Sequence, residues 1–540
     1  MRHCKWPDDF RGRYTSRTGL DNTRISALDG SVIIVYLVAI LALGLSASRL
    51  KSSTGEFFLG SHRAGWRRLG LSLFASNLSP SSLIGITGAA YAVGVSVYNY
   101  EWLAAVILAV YALYFLPAIL VSGVYTFPEF LERRFNGVVR IWFAALTLLL
   151  NVLVDASGVL YVGAVVLGQV VPGLTLTESA WLLATLSALA AIGGLRAVMY
   201  TEAVQAVVIL SSAVLLALFA LSSAGGWHTV AHALPRSALT LVQPADDPFM
   251  PWTGLLFGAP ILGFYYWGTN QLMVQRMLSA RSVSEGQRGA MFAGLLKLLV
   301  LFVVVMPGLA GRILYPHLQR DDAIYVRLAF GLLPSGLLGL LLAAFMGALM
   351  AQLSATYNSA ASLIAMDFAR KFRPNLAEAV LVKWGRIAAA ACMVASIICA
   401  PQISRFPSLW QYLQTVLAYT TPPAVVLFLG GMLFDRVDSR GAMAAIVAGN
   451  AVGAAFFALE MLGFVHIQFL NVAGIVFAVA GIALVLGSHA PRTDVSAIKP
   501  KALPAGLNMG GARRFGTEVG ARYWAAALLV LISLIVFYFR

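Results

Sequence analysis

The sequence predicts an all-α, polytopic membrane protein of about fourteen transmembrane helices. Two observations carry this. Of 540 residues, 59% are hydrophobic and only 11% charged, a balance that the core of a soluble domain does not require. The apolar residues also gather in runs of roughly 20, the length over which a helix pairs its own backbone groups across a hydrocarbon core. The runs lie at approximately 30–48, 69–94, 101–124, 138–171, 177–194, 197–224, 252–275, 289–312, 325–367, 380–400, 408–434, 441–461, 468–488 and 522–539.

The chain accordingly divides into a polar tail (1–29), a core with peripheral helices (30–490), a basic loop (491–521) and a C-terminal transmembrane helix (522–540). The longest loops, 225–251 and 489–521, are too short for an independent enzymatic domain. A formal charge of +15 does not point to nucleic acid, because the basic residues fall in short loops rather than on one soluble face. Arg49, Lys51, Arg63, Arg67 and Arg68 share one side with Arg276, Arg281 and Arg288, with Arg370, Lys371 and Arg373, and with Arg513 and Arg514. The positive-inside rule makes that side cytoplasmic and leaves both termini outside. The basic tail (Arg2, Lys5, Arg11, Arg13, Arg17, Arg24) argues the other way, but several loops outvote it. It lacks the apolar run of a secretory signal before residue 30; the expected location of this multi-pass protein is the cell (inner) membrane. Cys392 and Cys399, on one apolar helix, read as packing, not as a disulfide or metal site.

Two spans are interrupted. One reads Leu73-Phe74-Ala75-Ser76-Asn77-Leu78-Ser79-Pro80-Ser81-Ser82, and the other Phe257-Gly258-Ala259-Pro260-Ile261-Leu262-Gly263 before Tyr265-Tyr266-Trp267. Proline removes a backbone donor and glycine permits unwinding, so each break leaves carbonyls without intrahelical partners. Five spans begin with each break, and an odd number inverts the second copy (about 252–434) relative to the first (about 69–224). Matched breaks in inverted repeats point to the central site of a secondary transporter.

Ionisable and strongly polar groups at membrane depth are costly, which makes them functional candidates. Lys297 stands in an apolar run about 13 Å along its helix from Arg288, either snorkelling to the interface or donating to a solute hydroxyl. Glu101 opens a span, where it either complements a helix N-terminus or binds a ligand. Gln414 is an interhelical hydrogen bond or a solute contact. Tyr266 and Trp267 follow a break, and their rings are either core aromatics or a platform for a sugar face. Glu202 lies near the cytoplasmic start of a span, either paired with Arg196 or drawing a cation inward. His228 and His232 are four apart in an external loop with no acidic companion, so no metal-dependent enzyme is implied.

These segments resemble the sodium/solute symporter family, in particular the sodium/galactose and sodium/glucose cotransporters. The likeness covers about residues 26–490. It rests on Phe57-Phe58-Leu59-Gly60, Ser72-Leu73-Phe74-Ala75-Ser76-Asn77, Thr126-Phe127-Pro128-Glu129-Phe130-Leu131-Glu132-Arg133-Arg134-Phe135, Gly193-Gly194-Leu195 before Tyr200-Thr201-Glu202, Tyr265 to Arg276, and Asn358-Ser359-Ala360 to Met366-Asp367. The resemblance implies a five-plus-five inverted-repeat core working by alternating access, a small-molecule solute and coupling to Na+. It implies solute contacts at Glu101, Lys297 and Gln414 with Tyr266 as gate, and Asn77, Ser82 and Trp267 beside the breaks are further candidate contacts. Three contact positions differ in kind: Ser82 stands where Gln or His is expected, Ala104 at a small polar position, and Gly263 where Asn or Thr is expected. The resemblance also implies a sodium site at the carbonyls of Ala75, Leu78 and Ala348 and at two serine hydroxyls. Those serines are replaced by Ala351 and Gln352, with Ser354 one turn away. Some relatives of this kind sense solutes instead of carrying them, but no signalling domain is visible.

Overall fold

The protein is described by a computed structural model over residues 25–48, 65–122, 127–171, 173–191, 195–373, 375–488 and 519–540. The tail before residue 25, the Phe57–Gly60 motif, Thr126, Gly193, Gly194 and most of the basic loop lie outside the described residues, as does the side chain of Glu202. Among the described residues, eight helices are long and apolar enough to cross a bilayer, or eleven if three bent pairs each count as one span. The chain is therefore a multi-pass, all-helical membrane protein.

Helix α1 (Ala27–Ser48) precedes the first broken element, α2 (Trp66–Asn77) and α3 (Pro80–Val93), which meet at 62°. Pro80 occupies the first turn of α3, where its missing N–H has no partner to lose, and Ser79 caps that turn by accepting from Ser82 N–H. Helix α4 (Asn99–Val110) continues through a π-helical turn at Tyr111–Phe115. After α5 (Phe127–Arg134), one long span joins α6 (Gly137–Leu150) to α7 (Ser157–Val170) through a π-helical turn at Asn151–Ala156. Then come α8 (Leu176–Ala191), α9 (Leu195–Ser223) and the short α10 (Gly226–Ala233), with Gly225 and Gly226 at positive φ making the bend between the last two.

The second broken element is interrupted twice. Helix α11 (Trp252–Phe257) stops at Gly258, α12 (Ala259–Phe264) runs into a π-helical turn at Tyr265–Thr269, and extended Asn270 leads to α13 (Gln271–Leu278). Helix α14 (Val283–Leu298) continues past another π-helical turn into α15 (Met306–Leu314), and α16 (Ile324–Leu332) leads to α17 (Leu337–Ser362). The remainder is α18 (Glu378–Cys399), α19 (Leu409–Thr420), α20 (Pro422–Leu433), α21 (Ser439–Met461), α22 (Phe469–Gly487) and α23 (Val519–Tyr538). One straight span was expected over 408–434, yet α19 and α20 meet at 52°. The cause is Pro422-Pro423, which supplies two residues without a backbone donor just after Thr421.

Close backbone approaches seat the breaks. A Cβ on Gly308 would lie 2.5 Å from the Thr87 carbonyl, so α15 reaches the backbone of α3. A Cβ on Gly258 would lie 2.0 Å from the Leu470 carbonyl, so the second break rests on α22. Phe428 of α20 meets Tyr111, Phe115, Phe127, Phe130 and Phe264, with ring centroids 5.5–6.4 Å apart, and so anchors α12 against α4 and α5. At the other end Asp29 of α1 accepts from the N–H groups of Gly336 (2.6 Å) and Gly339 (2.9 Å) at the start of α17.

On the side read as cytoplasmic, Arg140 binds Asp367 through Nε (2.9 Å) and Nη2 (2.6 Å), while Glu132 accepts from Arg140 (2.5 Å) and Lys371 (2.9 Å). This clamp joins α5 and α6 to the π-helical end of α17 at Leu363–Ala369. Partial burial pushes the Glu132 carboxyl up, but the hydrogen bonds from Lys371 and Arg140 outweigh it and hold the group below the ordinary glutamate range. A folded pKa below the unfolded one stabilises fully above the ordinary glutamate range, and that stabilisation fades as pH falls through the lowered value. The difference in thermal midpoint between wild type and Glu132→Gln should therefore shrink from neutral pH toward about 4. A difference that stays constant over that range would refute it.

Candidate solute site between the broken helices

Lys297, on α14, lies at the centre of the polar set. Its ammonium pairs with the Glu101 carboxylate and donates to Asn77 Oδ1. The two charged side chains are only 1% and 4% exposed. Lys297 therefore does not snorkel, and Glu101 does more than complement its helix N-terminus: each neutralises the other inside the protein. The ammonium also sits 5.8 Å from the centre of the buried Trp267 ring. Tyr266 and Trp267 pack edge to face at 5.2 Å, and the Tyr266 hydroxyl bonds the Asn77 side chain.

Local structure explains why these groups meet. Asn77 is the last residue of α2, and its carbonyl accepts from Ser82 Oγ at 2.7 Å across the break. Glu101 lies in the first turn of α4, held there by Asn99, which donates to the Leu241 carbonyl (2.7 Å) and accepts from Trp102 Nε1 (2.7 Å). Tyr98 donates to the Leu298 carbonyl at 3.2 Å, which fixes α4 beside Lys297. Tyr266 and Trp267 come from the π-helical turn after α12, where the wider winding places neighbouring side chains differently from an α-helix. Asn77, Ser82, Glu101, Lys297, Tyr266 and Trp267 thus form one set at the junction of both broken elements.

Gln414 is buried on α19 and makes no hydrogen bond among the described residues. Its amide is available to something else. At Gly263 a Cβ would lie 2.3 Å from Ile107 Cδ1, so the tip of that side chain on α4 would turn aside for a larger residue.

The expected cation positions are distributed over two elements. Among the described residues no backbone N–H reaches the Ala75 or Leu78 carbonyl across the first break: Ser82 N–H bonds Ser79 Oγ and Leu83 N–H bonds the Ser79 carbonyl. Ala348, Ala351 and Gln352 lie on α17, and Ala348 packs on the core that holds Phe74 and Leu78. Ser354 is buried but turned away, its hydroxyl donating to the Ser187 carbonyl at 2.9 Å. His228 and His232 prove to be on α10, exposed, with their Nε2 atoms 3.1 Å apart. No group of three metal-ligating side chains exists among the described residues.

On the side read as extracellular, the buried Asp322 carboxylate ties three elements together. It accepts from Leu409 N–H (3.0 Å) and from the Tyr161 hydroxyl (3.0 Å), and Arg320 stands 3.5 Å away. Burial raises this carboxyl above the ordinary aspartate range despite those partners. Sequence reading missed this group and the Arg140–Asp367 clamp. Their partners are distant in sequence, and each residue alone looks like an ordinary loop charge.

Sequence and fold comparisons place the chain among known proteins. A family model described as the sodium:solute symporter family matches residues 57–449. Mouse sodium/glucose cotransporter 1 is 33% identical over 473 residues, covering 79% of this chain and 71% of that protein. Zebrafish (Danio rerio) sodium/glucose cotransporter 4 is 32% identical over 478 residues, covering 81% and 73%. Among solved structures, a substrate-bound, outward-open Na+-coupled sialic acid symporter superposes with a TM-score of 0.72 at 20% identity, covering 86% of this chain and 98% of that one. The nucleobase-cation-symport transporter Mhp1, closed with bromovinylhydantoin bound, gives 0.53 at 15% identity, covering 86% and 99%. By its family match and its relatives, this chain belongs to the sodium:solute symporter family and is a transporter, not an enzyme.

Proposed function

We propose that this transporter carries a small polar solute, a sugar or related polyol, across the cell membrane by alternating access. The carrying observation is the buried Asn77–Glu101–Lys297 set at the junction of two broken helices, beside the Tyr266–Trp267 rings. Such a set offers hydroxyl donors and acceptors beside an aromatic face, which is what a sugar's polar rim and apolar plane require. Gln414 supplies a further amide, and Ser82 and the Tyr266 hydroxyl complete the rim. Relatives named as sodium/glucose cotransporters favour the same solute class. The moving parts in this reading are two inverted five-helix repeats, about 69–224 and 252–434, within a set of about fourteen spans. Both termini lie outside, and Glu202 marks the inward path of the cation.

In the family reading that cation is sodium, bound by the Ala75, Leu78 and Ala348 carbonyls with residues 351 and 352. Alanine offers no side-chain oxygen and Gln352 only an amide carbonyl on a long stem, so little replaces the ion's hydration shell. Uptake of labelled sugars, polyols, amino acids and carboxylates into proteoliposomes tests the whole reading. Sugar or polyol accumulation is expected, and transport confined to carboxylates or amino acids would overturn the solute class. Ala351→Ser with Gln352→Ser should raise the sodium dependence of uptake, whereas an unchanged dependence would sink the cation-site assignment.

A further inference from the structure

One ionisable group at membrane depth takes no part in the set described above. Asp155 lies at the middle of the 34-residue span Gly137–Val170, in the π-helical turn between α6 and α7. Its carboxylate has neither a hydrogen-bond donor nor an ion-pair partner among the described residues. It is half-buried, within electrostatic range of Tyr265 and Tyr266 on the second broken element and of Cys392 on α18.

The surroundings supply no countercharge. The turn packs against α17, α18 and α19. The uncharged titratable groups these elements bring are Tyr357, Cys392, Cys399, Tyr412 and Tyr419, with Tyr265 and Tyr266 from the broken element, all neutral near pH 7 in their ordinary state. Tyr357 is engaged with Ser396 Oγ at 3.4 Å and Tyr412 donates to the Leu153 carbonyl at 2.8 Å. Lys383 and Arg386 on α18 are exposed. Lys297 is already matched by Glu101. An ionised Asp155 would therefore leave one uncompensated negative charge at mid-membrane, which is costly by several kcal/mol.

Two kinds of cation could cancel it. A sodium ion needs a cage of several oxygens, and the positions expected to complete one, Ala351 and Gln352, have lost both hydroxyls. A proton needs one carboxylate oxygen. We propose that Asp155 is the proton-binding group of this transporter, so that solute moves with a proton in place of sodium. The inference rests on the transporter reading above. The chemistry is one O–H bond: water on one side gives a proton to the Asp155 carboxylate, and the neutral acid returns it to water on the other side. No other bond changes. Neutralisation removes the charge that opposes closing apolar helices over bound solute, so the solute-loaded carrier closes only when Asp155 is protonated.

The test separates this inference from the choice of solute. Dicyclohexylcarbodiimide reacts with protonated carboxyls in membranes, and peptide mass spectrometry reads its addition at Asp155 in the full-length reconstituted protein without any solute. Labelling should fall about tenfold per pH unit above the group's titration point and be the same in sodium as in potassium. Protection by sodium, or no labelling at any pH, would overturn the proposal. In a second arm, labelled D-galactose serves as the probe. An inward proton gradient should raise its accumulation in the wild type, and in Asp155→Asn accumulation with and without the gradient should become equal. Accumulation driven by sodium alone, or driven by protons equally in D155N, would overturn the coupling. If the wild type takes up no sugar, the solute class fails while the labelling arm still decides the role of Asp155.

Discussion

Lys297→Met is expected to abolish solute uptake and to destabilise the fold by about 3–5 kcal/mol, because it strands the buried Glu101 carboxylate without its cation. Glu101→Gln strands the ammonium and should cost a similar amount. The double variant is the informative one. With both charges gone there is nothing to leave unpaired, so its thermal midpoint should recover most of the loss, a coupling well beyond additivity. Uptake should stay absent, since the groups that meet the solute are gone. A double variant that regains transport along with stability would show the pair to be structural only. Asn77→Ala should reduce uptake while leaving the ion pair to hold the helices.

Gly258→Ala should have a large effect for an uncharged change. Its Cβ would lie 2.0 Å from the Leu470 carbonyl oxygen, 2.6 Å from its carbon and 2.8 Å from Leu470 Cα. All three are backbone atoms, which do not swing aside as the end of a flexible side chain does. Helix α22 must back away from the second break, at a cost of about 1–3 kcal/mol, and the broken element loses its seat. Gly474→Ala, in the same interface, places its Cβ 3.4 Å from the nearest Phe257 atom, an ordinary contact. It should retain yield and thermal midpoint where G258A loses both. Equal behaviour of the two variants would refute the steric account.

Both breaks were legible because their residues act locally: Pro80 and Pro260 lack donors, and Gly258 and Ser79 tolerate or cap non-helical backbone. Lys297, Glu101 and Tyr266 were legible because polarity stands out against apolar neighbours. The same logic should have found Asp155, which stands in Leu153-Val154-Asp155-Ala156. It lies in neither interrupted span, within a turn of Asn151 and Ser157. What was not legible is pairing at long range. Nothing near residue 140 announces Asp367, and nothing near residue 161 announces Asp322. The bend at Thr421 was written in Pro422-Pro423 but was absorbed into one apolar run. The π-helical turns at residues 151–156 and 265–269 have no comparable mark, since their extra residue per turn reflects packing between helices more than any local preference.

Asp29 makes α1 a handle on the interior. Its carboxylate grips two amides of the first turn of α17, and a Cβ on Gly339 would lie 2.6 Å from the Asp29 carbonyl, so the two helices touch backbone to backbone. A joint of that kind transmits displacement without slack. Ile34, Val35 and Val38 on α1 are exposed at 65%, 68% and 61%. A spectroscopic probe at any of them would ride with the helix that carries residues 348–352 and make the transport cycle visible from the lipid side, far from any atom the solute meets.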